Sequence, residues 1–146
     1  MWELWNGDTA DAGMNARNIV MLIGDLNIWL HEYLGGIRPD PTAPAFKKII
    51  IKPEPVGDLT SAKVNYDSIR GRISSEWHKS ADRFDLSVTI PANTTATVYL
   101  PAKDIKSVTE SGKSLSKITG VKSFKMQADR AVLEVGSGSY HFVSSR

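Results

Sequence analysis

Prolines at positions 39, 41, 44, 53 and 55 divide a chain whose apolar residues recur at two different spacings. Proline lacks the amide hydrogen that helix interiors and central strands require, so this stretch is a connector between unlike elements. Before it, Ile19, Leu22, Ile23, Leu26, Trp29, Leu30, Tyr33 and Leu34 recur every three or four residues, which predicts a helix over 14–35 with one wide apolar stripe. Asn15 serves as its N-cap, and Gly35-Gly36 followed by Pro39 stops it. A stripe of that width has to pack against something.

After the prolines the spacing falls to two. Phe46 to Ile51, Leu59 to Tyr66 and Arg72 to Lys79 are predicted strands, the last with Ile73, Ser75 and Trp77 on one face. Phe84, Leu86, Val88 and Ile90 alternate strictly, and Ala96, Val98 and Leu100 repeat the pattern after the turn Pro91-Ala92-Asn93. Further strands are expected at Ile105 to Thr109, Val121 to Met126, Ala131 to Val135 and Tyr140 to Ser144, separated by Ser111-Gly112, Ala128-Asp129 and Gly136 to Gly138. Many short, half-polar strands at regular spacing predict a mainly β fold, an antiparallel β-sandwich of jelly-roll or Greek-key type, preceded by a helical segment.

Composition narrows the function. The 146 residues carry a net charge of +2, and the basic residues are scattered rather than gathered into a stripe, which argues against nucleic-acid binding. There is no cysteine, so disulfides and thiolate metal sites are excluded. No apolar run reaches membrane-spanning length, and the first residues lack the basic-plus-apolar pattern of a leader, so no membrane partner is expected.

The strongest chemical candidate is Glu3, flanked by Trp2 and Trp5. Glycoside hydrolysis needs one carboxylic acid to protonate the leaving oxygen and a carboxylate to activate water or attack the anomeric carbon. Indoles supply walls for the apolar face of a pyranose, and water-excluding walls tune a carboxyl for proton transfer. The same residues also suit a terminal glutamate beside two core tryptophans. Asn6, Asp8, Asp11 and Asn15 can bond sugar hydroxyls or coordinate calcium, or equally form turns and a cap, and their spacing is not that of an EF-hand. His31, His78 and His141 are far apart with no HExxH spacing, so no metal site is expected. Trp77, Tyr99 and Tyr140 are sugar-stacking candidates if exposed, although Trp77 shares a face with Ile73 and reads better as core.

The run Trp2-Glu3-Leu4-Trp5-Asn6-Gly7-Asp8, then Met14-Asn15, Gly24-Asp25-Leu26, Trp29-Leu30 and Leu34-Gly35-Gly36-Ile37, resembles the C-terminal part of bacterial α-L-rhamnosidases. The resemblance continues through Ile51-Lys52-Pro53-Glu54-Pro55-Val56-Gly57-Asp58-Leu59 and from Val88 to Pro101. It implies that residues 1–37 are the helical remnant of a catalytic (α/α)6 barrel and residues 38–146 the C-terminal β-sandwich. It implies an inverting glycosidase, with Glu3 as general base and Trp2, Trp5 and Asn18 as substrate contacts, acting on rhamnose-containing glycosides without a cofactor. The family has a histidine after Asn18 where this chain has Ile19, which removes a hydrogen-bonding group from the sugar site.

The resemblance places the general acid earlier in the barrel, so this chain alone is expected to be inactive. The alternative is a non-catalytic sandwich that buttresses the barrel or binds carbohydrate weakly through exposed sheet aromatics. The helix face of Leu22, Leu26, Trp29 and Tyr33 is expected to fold back on the sandwich, self-associate or move freely. For the parent, a periplasmic or secreted location is favoured over the cytoplasm.

Overall fold

The computed structural model describes residues 20–145, with side chains from Gly24 onward. An α-helix, α1 (Val20–Trp29), runs directly into a π-helical turn, Leu30–Leu34. The turn closes by a bond from the Gly35 amide to the Leu30 carbonyl at 2.9 Å, five residues back. The predicted helix therefore reaches its expected end at Gly35 with a widened last turn; its expected start and its Asn15 cap lie outside the described residues.

Eleven strands follow: β1 (Ile37–Pro39), β2 (Lys48–Ile51), β3 (Ser61–Ser68), β4 (Gly71–Lys79), β5 (Arg83–Ile90), β6 (Thr95–Pro101), β7 (Thr109–Glu110), β8 (Lys113–Ser114), β9 (Val121–Gln127), β10 (Arg130–Val135) and β11 (Gly138–Ser145). They form two facing sheets, one ordered β1-β2-β6-β10-β9 and the other β3-β4-β5-β11-β7-β8. The fold is mainly β and a sandwich, as the period-two alternation predicts. One pair departs from antiparallel order: β2 runs parallel to β6, with Lys48 opposite Thr95 and Ile51 opposite Val98. The cause is topological. After β2 the chain crosses to the second sheet, makes the β3-β4-β5 meander, and returns beside β2 in the direction it left.

Inward rows follow the alternation. Ile73, Ser75 and Trp77, then Phe84, Leu86, Val88 and Ile90, face Ile49, Ile51, Ala96, Val98, Leu100, Ala131, Leu133 and Val135 across one core. The Trp77 and Phe84 rings stack 5.9 Å apart, and Tyr140 stacks on Phe142 at 5.5 Å.

Three local expectations need correction. The strand expected over Ile105 to Thr109 is mostly a 3-10 turn, Ile105–Ser107, because Asp104 caps it by accepting from the Lys106 amide; only Thr109 enters a strand. The strand expected from Phe46 begins at Lys48, because Ala45 and Phe46 both hold left-handed backbone with φ of 55°. The short edge strand β1 lies inside the proline connector, where Pro39 needs no ladder donor. The Ser111-Gly112 turn has positive φ at both residues and joins β7 to β8 as a tight hairpin.

Candidate functional site

Glu3, Trp2, Trp5 and Asn18, together with Ile19 and the side chain of Leu22, lie outside the described residues. Within them, two surfaces have functional geometry: the junction between helix and sandwich, and the outer face of the β3-β4-β5-β11 sheet.

The junction is held from three directions. The Trp77 indole, fully buried on β4, donates from Nε1 to the Leu34 carbonyl at 2.8 Å. Gly36 follows with φ of 76°, and a Cβ there would overlap the Pro53 nitrogen and the Lys52 carbonyl carbon. Beyond it, Arg130 on β10 donates to the Pro53 carbonyl at 3.3 Å and to the Glu54 carboxylate at 2.6 Å, while the Glu54 amide donates to the Tyr33 carbonyl at 2.9 Å. The helical segment is thus fixed to the sandwich at its C-terminal end.

Its apolar residues are not all covered. Leu26 is 48% exposed, Trp29 37% and Tyr33 45%, so this face is not folded down onto the sandwich. Tyr33 is flanked by the Arg38 guanidinium, 5.1 Å from its ring centre.

On the helix's other side lies a pocket of about 390 Å³ lined by Asn27, Ile28, His31, Glu32, Ile37, Pro39, Phe46 and Tyr66. Tyr66 extends the inward row of β3 beyond the core, and its ring lies 4.9 Å from that of Phe46 and edge-on to His31 at 6.5 Å. The His31 Nδ1 bonds the Asn27 carbonyl at 2.9 Å. A carbonyl only accepts, which places the proton on Nδ1 and leaves Nε2 of the neutral ring as an acceptor.

The outer face of the second sheet is mostly polar, a shallow trough of about 520 Å³ lined in part by Lys63, Asn65, Arg72, Ser74, Glu76 and His141. Three carboxylates of this face are paired: Glu76 with Lys63 at 2.8 Å and His78 at 3.5 Å, Asp67 with Arg72 at 2.8 Å, and Asp85 with Arg83 at 2.8 Å and His141 at 3.5 Å. Lys63 holds the Glu76 carboxyl below its ordinary range, and Arg72 does the same to Asp67. On the first sheet, Asp40 is lowered by the Thr42 hydroxyl at 2.6 Å, the Thr42 amide and Lys48. Every one of these shifts favours the ionised form, the opposite of what a proton-donating general acid requires.

The remaining sequence candidates separate. His31 sits at the junction, and His78 and His141 lie on the polar outer face; among the described residues no cluster of three metal-ligating side chains occurs. Trp77 and Tyr140 are core residues, 0% and 8% exposed, so neither offers a ring to a sugar, and Tyr99 is half-buried with Lys52 5.9 Å from its ring centre. Burial, and then Glu110, raise the Tyr140 hydroxyl above its usual range. Among the described residues the exposed strand aromatics are Tyr66 and Phe124, and the sequence marked Tyr66 only as the end of a predicted strand.

The sequence model described as the bacterial alpha-L-rhamnosidase C-terminal domain matches residues 36–115. An alpha-L-rhamnosidase of Streptomyces avermitilis is 31% identical over 97% of this chain and 13% of its own length. The crystal structure of Streptomyces avermitilis alpha-L-rhamnosidase complexed with L-rhamnose superposes with a TM-score of 0.81 at 30% identity, over 98% of this chain and 13% of that one. The alpha-L-rhamnosidase structure from Dictyoglumus thermophilum gives a TM-score of 0.78 at 30% identity, over 92% of this chain and 15% of that one. The chain spans 13–16% of the length of the curated relatives it matches. With the sandwich matched in sequence and in topology, the chain belongs to the family of bacterial α-L-rhamnosidase C-terminal domains.

Proposed function

We propose that this chain is the C-terminal portion of a glycosidase that hydrolyses terminal α-L-rhamnosyl linkages with inversion, residues 1–37 ending its catalytic barrel and residues 38–146 forming the sandwich behind it. The observation that carries the reading is the family match over residues 36–115, combined with relatives about seven times longer than the segment they share with this chain. In the parent, Glu3 takes the proton from the attacking water, and Trp2, Trp5 and Asn18 line the sugar site. Inversion needs the second carboxyl far enough away to admit that water.

The isolated chain is inactive in this reading. The carboxyls with displaced proton affinity among the described residues are held ionised by cations and hydrogen bonds, so the proton for the leaving oxygen comes from elsewhere in the parent. Loss of general-acid catalysis alone costs about 10²- to 10⁴-fold, before loss of positioning is counted. The test is hydrolysis of p-nitrophenyl α-L-rhamnopyranoside by the purified chain. No turnover is expected, and turnover that Glu3→Gln abolishes contradicts the inactivity.

The second reading, a buttress, is favoured by one specific feature: Trp77 bonds the backbone at the helix end directly, and Arg130 holds the Pro53-Glu54 segment whose amide bonds the Tyr33 carbonyl. The two readings are compatible, since a sandwich that fixes the end of a barrel helix also positions what precedes it.

A further inference from the structure

We propose that the pocket between the helix and the sandwich is a saccharide subsite that takes a 6-deoxyhexopyranose against the Tyr66 and Phe46 rings. Its chemistry is that of a sugar site in miniature. A pyranose presents one C–H-rich face, which packs on an aromatic ring, and a rim of hydroxyls, which need directed donors and acceptors. The Tyr66 and Phe46 rings, 4.9 Å apart, form the wall. The His31 Nε2, freed as an acceptor by the bond its Nδ1 makes, faces hydroxyls from one side.

Glu32 makes no ion pair among the described residues and supplies a second acceptor, with the Asn27 amide beside it. The remaining lining, Ile28, Ile37 and Pro39, is apolar and suits a methyl rather than a hydroxymethyl at C5 of the ring. At about 390 Å³ the pocket has the size of a small-ligand site.

The way Phe46 is held supports a role beyond packing. Ala45 and Phe46 both occupy left-handed backbone, which residues with a Cβ rarely adopt because the Cβ crowds the following carbonyl oxygen. Arg70, exposed on the β3–β4 turn, fixes the strained loop by donating from Nε to the Ala45 carbonyl at 2.8 Å. Strain retained in order to aim one aromatic ring is the kind of outlier that gathers at ligand sites.

The choice of a 6-deoxyhexose rests on the proposed function; the pocket's suitability for a pyranose does not. The test is a ¹H–¹⁵N NMR titration of the full chain with L-rhamnose, with L-mannose as the 6-hydroxylated counterpart. The expected result is saturable shifts of the amides around residues 27–32, 46 and 66 in the millimolar range, weaker with L-mannose, and unchanged by Glu3→Gln. Tyr66→Ala and the isosteric Glu32→Gln should each weaken binding about tenfold. Tyr66 is 40% exposed and Glu32 is outside the core, so the folded state of each variant can be verified from its own spectrum. Absence of saturable shifts, shifts that both variants leave intact, or shifts centred on residues 2–5 and lost in Glu3→Gln overturn the proposal. Failure of the parent-enzyme reading shows instead in a chimera with a full-length relative, as an active enzyme whose kcat Glu3→Gln leaves untouched, with the titration unaffected.

Discussion

The Nε1 of Trp77 donates to the carbonyl of Leu34 at 2.8 Å, across 43 positions of sequence, and so ties the end of the helical segment to the middle of the sandwich core. Trp77→Phe removes the only polar group of that side chain and leaves the Leu34 carbonyl without this donor. The expected cost is about 1–3 kcal/mol for the orphaned acceptor, with a cavity contribution added. Urea denaturation measures it, and a cost no larger than that of an exposed surface substitution would show that the tether is incidental.

Gly36 and Gly112 share a φ of 76°, yet their surroundings differ: a Cβ on Gly36 overlaps the backbone at Lys52 and Pro53, whereas nothing lies within 4 Å of one on Gly112. Gly112→Ala should therefore cost about 1 kcal/mol, the conformational term alone. Gly36→Ala should cost more than about 3 kcal/mol or prevent folding, because backbone cannot move aside as a side-chain tip can. Equal costs for the two would mean that the Gly36 junction relaxes freely.

Acid should weaken the fold through its paired carboxylates. Asp40, Asp67 and Glu76 all have folded-state proton affinities below their unfolded ones, caused chiefly by Thr42, Arg72 and Lys63 respectively. Groups lowered in this way contribute stability that is complete above the unfolded carboxylate range, about pH 4, and is lost as pH falls through the folded values. Stability should thus decline below about pH 5, and the difference between wild type and Asp40→Asn should shrink between pH 7 and pH 3. A difference that persists unchanged at pH 3 would assign it to packing.

The exposed face of Leu26, Trp29 and Tyr33 gives the isolated chain a reason to associate with itself. Sedimentation velocity should show concentration-dependent association that Trp29→Ser weakens without lowering the unfolding midpoint. A monomer at all concentrations, for wild type and variant alike, would contradict it.

Much of the architecture was legible in the sequence because period-two alternation reports directly on which side chains face a core. Phe84, Leu86, Val88 and Ile90 are all buried as their pattern demands. The parallel β2–β6 pair was not legible, since strand direction depends on how the chain crosses between sheets rather than on any residue within the pair. The turn at Ile105 was hidden by an apolar residue that also suits a strand, with Asp104 the only local signal against it.

The junction pocket escaped notice for a related reason. Tyr66 continues the inward row of its strand, and only the left-handed Ala45-Phe46 backbone and the helix end turn it into a wall. The motif around Glu3 was picked out from its residue types and given its role by resemblance, and its geometry lies outside the described residues.

The most direct test of the account replaces the matching segment of the Streptomyces avermitilis α-L-rhamnosidase with this chain and measures kcat on p-nitrophenyl α-L-rhamnopyranoside, with and without Glu3→Gln. The account predicts an active chimera that Glu3→Gln slows by about 10²- to 10⁴-fold, the loss expected for a missing general base. A folded, active chimera whose kcat is untouched by Glu3→Gln would contradict it.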